Sequence, residues 1–282
     1  MNRVRSGGLT GLAVCLLLLL GGCSAPPAAE AEPAGTSIGA ATRSTSAPAV
    51  PVWRPRPGTA WQWQLSGRLD LTVDVPVYDL DWQTTTARQV AGLHRAGRRV
   101  ICYVSVGSFE AFRPDARRFP QAVLGRPLDG WPDERWLDIR RRDLLAPVLL
   151  PRLDECRAKG FDAVEPDNVD GFVNDSGFPL TAQDQLAFNR WIAREVRARG
   201  MSVALKNDPD QAAELVHDVD FAVVEECARY DECEAYRPFV AAGKAVLRVE
   251  YGRSVASCGR RSSVAPAMVK RLELDAWRLP CP

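Results

Sequence analysis

The sequence predicts a single α/β domain folded as a (β/α)8 barrel, and three observations support this prediction. Eight short apolar runs recur from Trp61 onward, and helical patterns separate most of them. Three of those patterns end on a glycine that polar residues and another apolar run follow, as in parallel βαβ units. The 282 residues, 46% apolar and 25% charged, have the composition of a globular protein and suit one large domain.

Each expected element has its own signal. The strands are expected at 61–65, 73–80, 98–106, 160–166, 201–207, 220–226, 244–251 and 272–277. Helices are expected at 84–97, 142–160, 181–200, 210–219 and 234–243, with Thr181 as an N-cap. Pro147 and Pro151 are expected to kink or delay the second helix. An open doubly wound sheet is the alternative, but its Gly-rich phosphate loop does not follow the first strand.

The N-terminal residues are expected to lie outside the barrel. Residues 1–22 have the pattern of a signal peptide, with two arginines before a short apolar run. The run ends in Leu-Gly-Gly before Cys23, which resembles a bacterial lipobox and implies lipidation of Cys23. Ordinary secretion is the alternative. Segment 23–57 continues as a tether rich in Ala, Pro, Ser and Thr, which leaves 58–282 as an extracytoplasmic domain attached to the membrane by lipid alone.

Export changes the interpretation of the cysteines, because oxidising compartments favour disulfides. Six cysteines remain once Cys15 leaves with the signal peptide and Cys23 carries lipid. Disulfides are expected between Cys227 and Cys233 and between Cys258 and Cys281, whereas Cys102 and Cys156 either pair or remain buried thiols. The sequence has no C-x-x-C pair, and its two histidines are expected to serve helix packing or the surface, so no zinc site is predicted.

Polar residues, many of them acidic, follow most of the expected strands, where a barrel places its active site. Carboxylates crowded together repel one another unless a ligand uses them. With few bases nearby, the ligand is expected to be a hard metal or a cationic substrate, and the neighbouring Trp and Tyr residues favour a sugar. The net charge is +1 and the sequence has no basic block, so nucleic-acid binding is not predicted. The candidate cleft residues are Trp63, Tyr78, Asp79, Asp81, Ser105, Glu110, Glu165, Asn168, Asp170, Lys206, Asn207, Asp208, Glu250 and Tyr251.

Long motifs make the resemblance to one family specific. They include WQWQLSG, ICYVSVGSFE, VLGRPLDGWPDERWLDIR, FDAVEPDNVDG, LTAQDQLAFNRWIA, ALKND and GKAVLRVEY. In this order they resemble glycoside hydrolase family 114, the endo-α-1,4-polygalactosaminidases, from Trp61 to Tyr251. The resemblance implies a (β/α)8 barrel that hydrolyses α-1,4-linked galactosamine polymers with retention and needs no cofactor. A cationic polysaccharide as substrate agrees with an acidic cleft.

The resemblance also implies a catalytic pair. The family's Asp after the fourth strand falls on Asp167, as nucleophile, and its Glu after the sixth falls on Glu225, as acid and base, although the two roles could be exchanged. This chain has Glu226 where the family often has Gln, but alternation prevents both glutamates from facing the cleft. Glu165 is expected to be buried beside Lys206 and to tune Asp167.

Several features keep alternatives open. Asp170 is expected in a turn or in contact with substrate, and the long loop with Trp131 and Trp136 either walls the cleft or is simply anchored by them. One rival is a non-catalytic, polysaccharide-binding lipoprotein. Another is a magnesium- or calcium-dependent hydrolase built on Asp79, Asp81, Asp167 and Asp208. The protein is expected to be a monomer.

Overall fold

The computed structural model describes residues 52–259 and 264–282. The expected signal peptide, Cys23 and most of the expected tether lie outside the described residues. At the start of the described chain, Trp53 packs against the apolar interior of the barrel, and Arg54 Nε donates a hydrogen bond to Asp220 Oδ1 at 2.7 Å. Within the described residues, no helix is long and apolar enough to cross a membrane.

Twelve strands and five α-helices form in the described residues. The strands are β1 (Trp61–Gln64), β2 (Val77–Asp81), β3 (Arg99–Ser105), β4 (Ser108–Glu110), β5 (Leu124–Leu128), β6 (Trp131–Leu137), β7 (Ala163–Asp167), β8 (Ser202–Lys206), β9 (Phe221–Glu225), β10 (Val246–Tyr251), β11 (Ala267–Lys270) and β12 (Leu279–Pro280). The helices are α1 (Ala87–Arg95), α2 (Arg142–Lys159), α3 (Ala182–Ala198), α4 (Ala212–Leu215) and α5 (Arg237–Ala241). Helices lie between most of the barrel strands, as the sequence predicts, but no α-helix of the described residues separates β1 from β2 or β10 from β11.

Eight parallel strands form the curled sheet of the barrel. Their order is β1-β2-β3-β7-β8-β9-β10-β11, and β12 joins β11 in the antiparallel sense. The two ends of the sheet meet through side chains and a turn. Lys270 Nζ lies 3.4 Å from Gln62 Oε1, and Leu65 N donates to Leu274 O at 2.9 Å. The (β/α)8 prediction is confirmed.

Alternation along each strand separates two apolar layers. Trp61, Val77, Ile101 and Val223 point into the barrel and pack together there. Their neighbours along the strands pack outward against the helices, in a larger cluster that includes Leu80, Cys102 and Val164. Because of this alternation, the last inward residue of each strand faces the carboxyl-end opening, where a barrel enzyme holds its substrate.

The second and third helices begin where the sequence predicts, and the other three begin two or three residues later. Thr86 and Thr181 form capping boxes at the starts of α1 and α3, each accepting from a backbone N–H three residues later. The expectation that prolines would delay α2 is wrong, because the helix starts at Arg142 and continues through Pro147 and Pro151. Its buried leucines and valines pack on the barrel, and this burial outweighs the loss of two backbone donors.

The eighth parallel strand is not at 272–277, as expected from the sequence, but at Ala267–Lys270. The segment after it forms a turn: Leu274 has φ 48°, and its N–H donates to Arg271 O at 3.0 Å. Asp275 fixes this turn by accepting hydrogen bonds from Arg271 and from Trp277 N. LELDAW therefore forms a turn that contacts the residues after β1 instead of adding a strand.

The long segment after β3 is a second sheet, with strand order β4-β6-β5 and antiparallel pairing. We call β4, β5 and β6 the inserted sheet. Gly107 precedes it, and a Cβ atom there would lie 1.6 Å from Asn168 O, so only glycine fits between this sheet and the loop after β7. The insertion is thereby fixed beside the carboxyl end of β7.

Three disulfides stabilise the described chain. Cys227–Cys233 and Cys258–Cys281 form as expected. Cys102 and Cys156, whose pairing the sequence left open, are also joined. This third bond links β3 to α2 across 54 residues of sequence, so it restricts the unfolded chain more than the bond between Cys227 and Cys233, six residues apart.

Candidate active site

A cavity of about 560 Å³ opens at the carboxyl ends of the barrel strands. The strands contribute Trp63, Tyr103, Asp167, Lys206, Glu225 and Tyr251 to its floor and walls. The inserted sheet contributes Glu110, Leu128, Trp131, Glu134 and Trp136. Trp131 is 49% exposed at the rim, whereas Trp136 is buried, so one tryptophan borders open space and the other anchors the insertion.

Asp167, the last residue of β7, is held by donors on both carboxylate oxygens. Lys206 Nζ lies 2.9 Å from Oδ1, and the Tyr103 hydroxyl donates to Oδ2 at 2.8 Å. Asn168 Nδ2 adds a longer contact of 3.4 Å to Oδ2. Burial alone would raise the pKa of Asp167, but Lys206 and the hydrogen bonds lower it below its usual value. Asp167 is therefore ionised at neutral pH and oriented by its neighbours.

Glu225, the last residue of β9, is also fixed at both oxygens. The Tyr251 hydroxyl hydrogen-bonds to Oε1, and Asn207 Nδ2 donates to Oε2 at 2.9 Å. Asn207 also accepts from the Glu225 backbone N–H at 2.9 Å through its side-chain oxygen. One asparagine thus fixes both the backbone and the carboxyl group of Glu225.

Left-handed backbone conformations occur directly after three of these strands. Asn168, Asn207 and Glu226 have φ values of 61°, 48° and 51°. Such values are uncommon outside glycine and are tolerated best by Asn and Asp. At Asn168 and Asn207 they accompany side chains that reach back to the two acids. Glu226 forms an ion pair with Arg229 at 2.7 Å. Of Glu225 and Glu226, only Glu225 lines the cavity.

Lys206 lies between the two acids. Its Nζ is 2.9 Å from Asp167 Oδ1 and 3.1 Å from Glu225 Oε2, so these two oxygens are at most about 6 Å apart. Carboxyl groups of retaining glycosidases are about 5–5.5 Å apart and those of inverting enzymes about 6.5–9.5 Å. The spacing therefore favours the closer, retaining arrangement. Burial opposes the charge of Lys206, but the surrounding carboxylates raise its pKa well above its usual range.

A second pair of acids lies beneath Lys206 and is fully buried. Glu165 Oε1 is 3.2 Å from Lys206 Nζ, and Asp79 interacts with Glu165 from β2. Burial raises the pKa of Glu165 to about 7 although Lys206 lowers it. Burial and the adjacent Glu165 raise the pKa of Asp79 well above its usual range. Burial and Glu165 therefore both favour the neutral form of Asp79, which reduces the negative charge beneath Lys206.

An ion-pair cluster supports the side of the cavity next to the insertion. Arg113 Nη2 lies 2.6 Å from Asp81 Oδ2 and 2.7 Å from Glu110 Oε1, and all three side chains are buried. Arg152 adds a contact of 3.3 Å to Glu110 Oε2. Asp81 and Glu110 are therefore neutralised by arginines, although both line the cavity.

The structure brings most, but not all, of the candidate residues to the cavity. Those that line it are Trp63, Asp81, Glu110, Asp167, Asn168, Asp170, Lys206, Asn207, Glu225 and Tyr251. Six others do not: Tyr78, Asp79, Ser105, Glu165, Asp208 and Glu250. These six residues were expected to contact substrate, but they lie inside the protein and can only support residues that line the cavity.

Strand alternation explains two of these corrections. Tyr78 and Glu250 each precede an inward-facing residue, so they point toward the helices instead of the cavity. The Tyr78 hydroxyl donates to Val73 O at 2.7 Å, and Glu250 Oε1 lies 3.1 Å from Arg248 Nη2. Asp208 is displaced for a different reason, because it lies behind the cavity wall and accepts from Asn189 Nδ2 at 3.0 Å.

The remaining three corrections concern positions inside the wall, and one of them is Asp79, which lies beside Glu165. Ser105 is buried and forms hydrogen bonds with Ser108 and Asn168, and Glu165 lies under Lys206, where the sequence analysis expected it as a partner of that lysine. Two further cavity residues, Tyr103 and Glu134, were not predicted from the sequence. Tyr103 is in phase with Ser105 on β3, which is a usable signal, whereas the sequence around Glu134 does not show that it belongs to a sheet.

Among the described residues, the four acids of the alternative metal site do not form a group with metal-ligand spacing. Asp81 instead pairs with Arg113, and Asp208 accepts a hydrogen bond from Asn189. Within the described residues, one group has metal-ligand spacing, formed by Cys227, Cys233 and Glu250. Its two sulfurs are joined in a disulfide, so they are not available as thiolate ligands.

Comparison with known proteins agrees with this geometry. The model of glycoside-hydrolase family GH114 matches residues 42–282. The crystal structure of Aspergillus fumigatus Ega3 in complex with galactosamine is 38% identical, with a TM-score of 0.78, over 82% of this chain and 98% of its own. The glycoside hydrolase domain of PelA from Pseudomonas aeruginosa is 16% identical, with a TM-score of 0.60, over 79% and 98% of the two chains, which shows the shared fold. Comparison with curated proteins gives no match. This chain belongs to glycoside hydrolase family GH114.

Proposed function

We propose that this glycoside hydrolase cleaves α-1,4-linked, galactosamine-containing polysaccharide internally and with retention of configuration. The observation that carries the proposal is the position of Lys206, which holds Asp167 and Glu225 close enough for a covalent mechanism. The family resemblance supports the linkage and the endo mode. The galactosamine in the complex of the 38% identical Ega3 supports the sugar.

In the first step Asp167 attacks the anomeric carbon. A bond forms between that carbon and a carboxylate oxygen, the bond to the glycosidic oxygen breaks, and protonated Glu225 transfers its proton to the leaving oxygen. Tyr103 and Lys206 keep Asp167 oriented for the attack. In the second step Glu225 removes a proton from water, the water oxygen attacks the same carbon, and Asp167 is released. No cofactor takes part in either step.

The acidic lining of the cavity supports a cationic polymer as the substrate. Asp129, Asp170 and Glu273 line it in addition to the catalytic acids, whereas the two cations that the described part of the chain contributes, Arg113 and Lys206, are paired with carboxylates. Burial raises the pKa of Asp170 to about 6, with the charge of Asp167 adding to the effect. An ammonium-bearing sugar would compensate such groups, so raised salt is expected to weaken its binding.

We also propose that the protein is exported, lipidated at Cys23 and monomeric, with residues 23–57 acting as the tether. The lipobox-like ending of the apolar run and the composition of the following segment support this proposal. A Cys23→Ala variant is expected to leave the membrane fraction after cell fractionation. Unchanged membrane association would contradict the lipid anchor.

The function is tested by two substitutions and a matched control. Asp167→Asn and Glu225→Gln are each expected to abolish release of oligosaccharides from α-1,4-galactosamine polymer while the domain stays folded. Glu226→Gln is the control, because it removes the neighbouring acid that pairs with Arg229 outside the cavity, and it is expected to remain active. NMR of the first product is expected to show the α-anomer.

Full activity of Asp167→Asn or Glu225→Gln would refute the catalytic assignment. A β-anomer as first product would refute retention. Products released from neutral glycans in preference to galactosamine polymer would refute the substrate. Mass analysis of the products from a panel of such polymers distinguishes these outcomes.

A further inference from the structure

The proposed mechanism leaves one acid of the cavity without a role. Glu134 lies on β6 of the inserted sheet, lines the cavity and is 9% exposed. Its Oε2 accepts a hydrogen bond from Ser108 Oγ at 2.7 Å. No cationic side chain of the described residues forms an ion pair with Glu134, because the nearby Arg113 is paired with Asp81 and Glu110. The other oxygen of this nearly buried, cavity-lining carboxylate therefore has no hydrogen-bond or ion-pair partner among residues 52–259 and 264–282.

The position of Glu134 opposite Glu110 makes this unusual. The two residues are directly paired across β4 and β6, and like charges at such a position destabilise a sheet. Glu110 forms ion pairs with Arg113 and Arg152, whereas Glu134 forms no ion pair with either arginine, although the charge of Arg113 lowers its pKa. Burial, together with the charges of Glu110 and Asp167, raises the pKa of Glu134 to about 7 although Ser108 lowers it. Packing does not explain an acid here, but a cationic ligand would.

Hydrogen bonds connect Glu134 to the proposed nucleophile. Ser108 Oγ, bonded to Glu134, accepts from Asn168 Nδ2 at 3.1 Å, and the same nitrogen lies 3.4 Å from Asp167 Oδ2. Glu134 and Asp167 therefore share one wall of the cavity, with a single asparagine and a single serine between them. A sugar whose anomeric carbon meets Asp167 has its ring substituents next to this wall.

We propose that Glu134 binds the ammonium group of a galactosamine residue next to the bond that is cleaved. This inference rests on the proposed function and adds the residue that recognises the amine. An ammonium group supplies a charge and hydrogen-bond donors to the free carboxylate oxygen, and the interaction is strengthened because water is largely excluded. An N-acetylated sugar has a neutral amide in this place and gains no charge compensation from Glu134.

The test compares Glu134→Gln with the wild-type enzyme on de-N-acetylated and fully N-acetylated α-1,4-galactosamine oligosaccharides. Glutamine keeps an acceptor for Ser108 but removes the charge. We expect kcat/KM for the cationic oligosaccharide to fall about tenfold or more, as for loss of a charged hydrogen bond. The value for the N-acetylated oligosaccharide is expected to stay within about twofold of wild type, since no ion pair is lost.

Asp133→Asn is the matched control, because Asp133 precedes Glu134 on β6 but is exposed and does not line the cavity. It removes the same charge from the same strand and is expected to change neither kcat/KM value. Thermal unfolding of Glu134→Gln is expected at an unchanged or higher temperature, because the substitution relieves repulsion from Glu110. A lower unfolding temperature would indicate a structural role instead.

Binding of the same oligosaccharides in a Glu225→Gln background separates this inference from the proposed function. If the enzyme does not cleave the polymer but Glu134→Gln still weakens binding of the cationic oligosaccharide alone, the ammonium site stands and the proposed function fails. If the enzyme cleaves the polymer but Glu134→Gln affects both oligosaccharides equally, the ammonium site is refuted.

Discussion

Lys206 is the residue on which the electrostatics of the site depend. It is buried, its Nζ lies within 3.2 Å of oxygens from Glu165, Asp167 and Glu225, and it stands 4.8 Å from the centre of the Trp63 ring. A single ammonium group therefore compensates up to three carboxylates. Removing one partner of a buried ion pair leaves the other charges uncompensated, which costs about 3–5 kcal/mol in other proteins.

Lys206→Met is expected to inactivate the enzyme at neutral pH and to destabilise the fold by about 3 kcal/mol. Methionine has a similar length but no charge, so the pKa of Asp167 would lose the influence that now lowers it. The destabilisation is expected to be smaller at pH 5 than at pH 7, because the uncompensated acids can then bind protons. Urea unfolding at both pH values, together with the pH dependence of kcat/KM, measures these effects.

Lys270→Met is the matched control for that substitution. Lys270 is another buried lysine at the end of a barrel strand, but its Nζ contacts Gln62 Oε1 and Asp275 O instead of a carboxylate. Burial lowers the pKa of Lys270 to about 8. Its removal is expected to leave the pH dependence of catalysis unchanged. An equal change in both variants would mean that the barrel, and not the charge of Lys206, determines the profile.

At the scale of elements, the sequence predicts the barrel well because its strands and helices have strong local signals. Gly97, Gly160 and Gly200 mark helix ends, and each has positive φ as a C-terminal glycine requires. The catalytic candidates are predictable for a related reason. Asp167 and Glu225 each end an apolar run, and in a parallel barrel every such position faces the same opening.

The errors occur where local signals do not fix which side a residue faces or which strand it joins. Both Glu250 and Tyr251 end β10, but only Tyr251 is in phase with the inward side chains. The eighth strand was misplaced because β11 has only four residues, whereas LELDAW alternates apolar and acidic residues like a half-buried strand but forms a turn held by long-range contacts. The inserted sheet was not predicted because β5 and β6 pair with irregular register shifts, so the residues of these strands lack a regular apolar-polar alternation.

Considered as a whole, the molecule concentrates acids with raised pKa values around one cavity. Burial raises the pKa of Glu134 and Glu165 to about 7, that of Asp170 to about 6 and that of Asp208 to about 8. An acid whose pKa is raised by folding binds its proton more tightly in the folded state. Its contribution to stability is fully present below the pKa of the unfolded chain and is lost as pH rises through the folded value.

The unliganded domain is therefore expected to be most stable near pH 5 and to lose stability progressively between about pH 5 and pH 8. Below that range, acids such as Asp167 and Asp220, whose pKa values are lowered, act in the opposite direction, because their protonation on acidification destabilises the fold. Thermal unfolding of the unliganded domain across this range, at constant ionic strength, measures the effect. A transition temperature that rises from pH 5 to pH 8 would contradict it.

A cationic substrate should reverse this dependence, because the same acids that destabilise the empty cavity at pH 8 are then ionised and can pair with ammonium groups. De-N-acetylated oligosaccharide, bound to the Glu225→Gln variant to prevent turnover, is expected to raise the unfolding temperature more at pH 7 than at pH 5. Fully N-acetylated oligosaccharide is the control and should show no such difference. If both oligosaccharides stabilise the protein equally at both pH values, the acids do not select the charge of the substrate, and their cost to the empty fold has another cause.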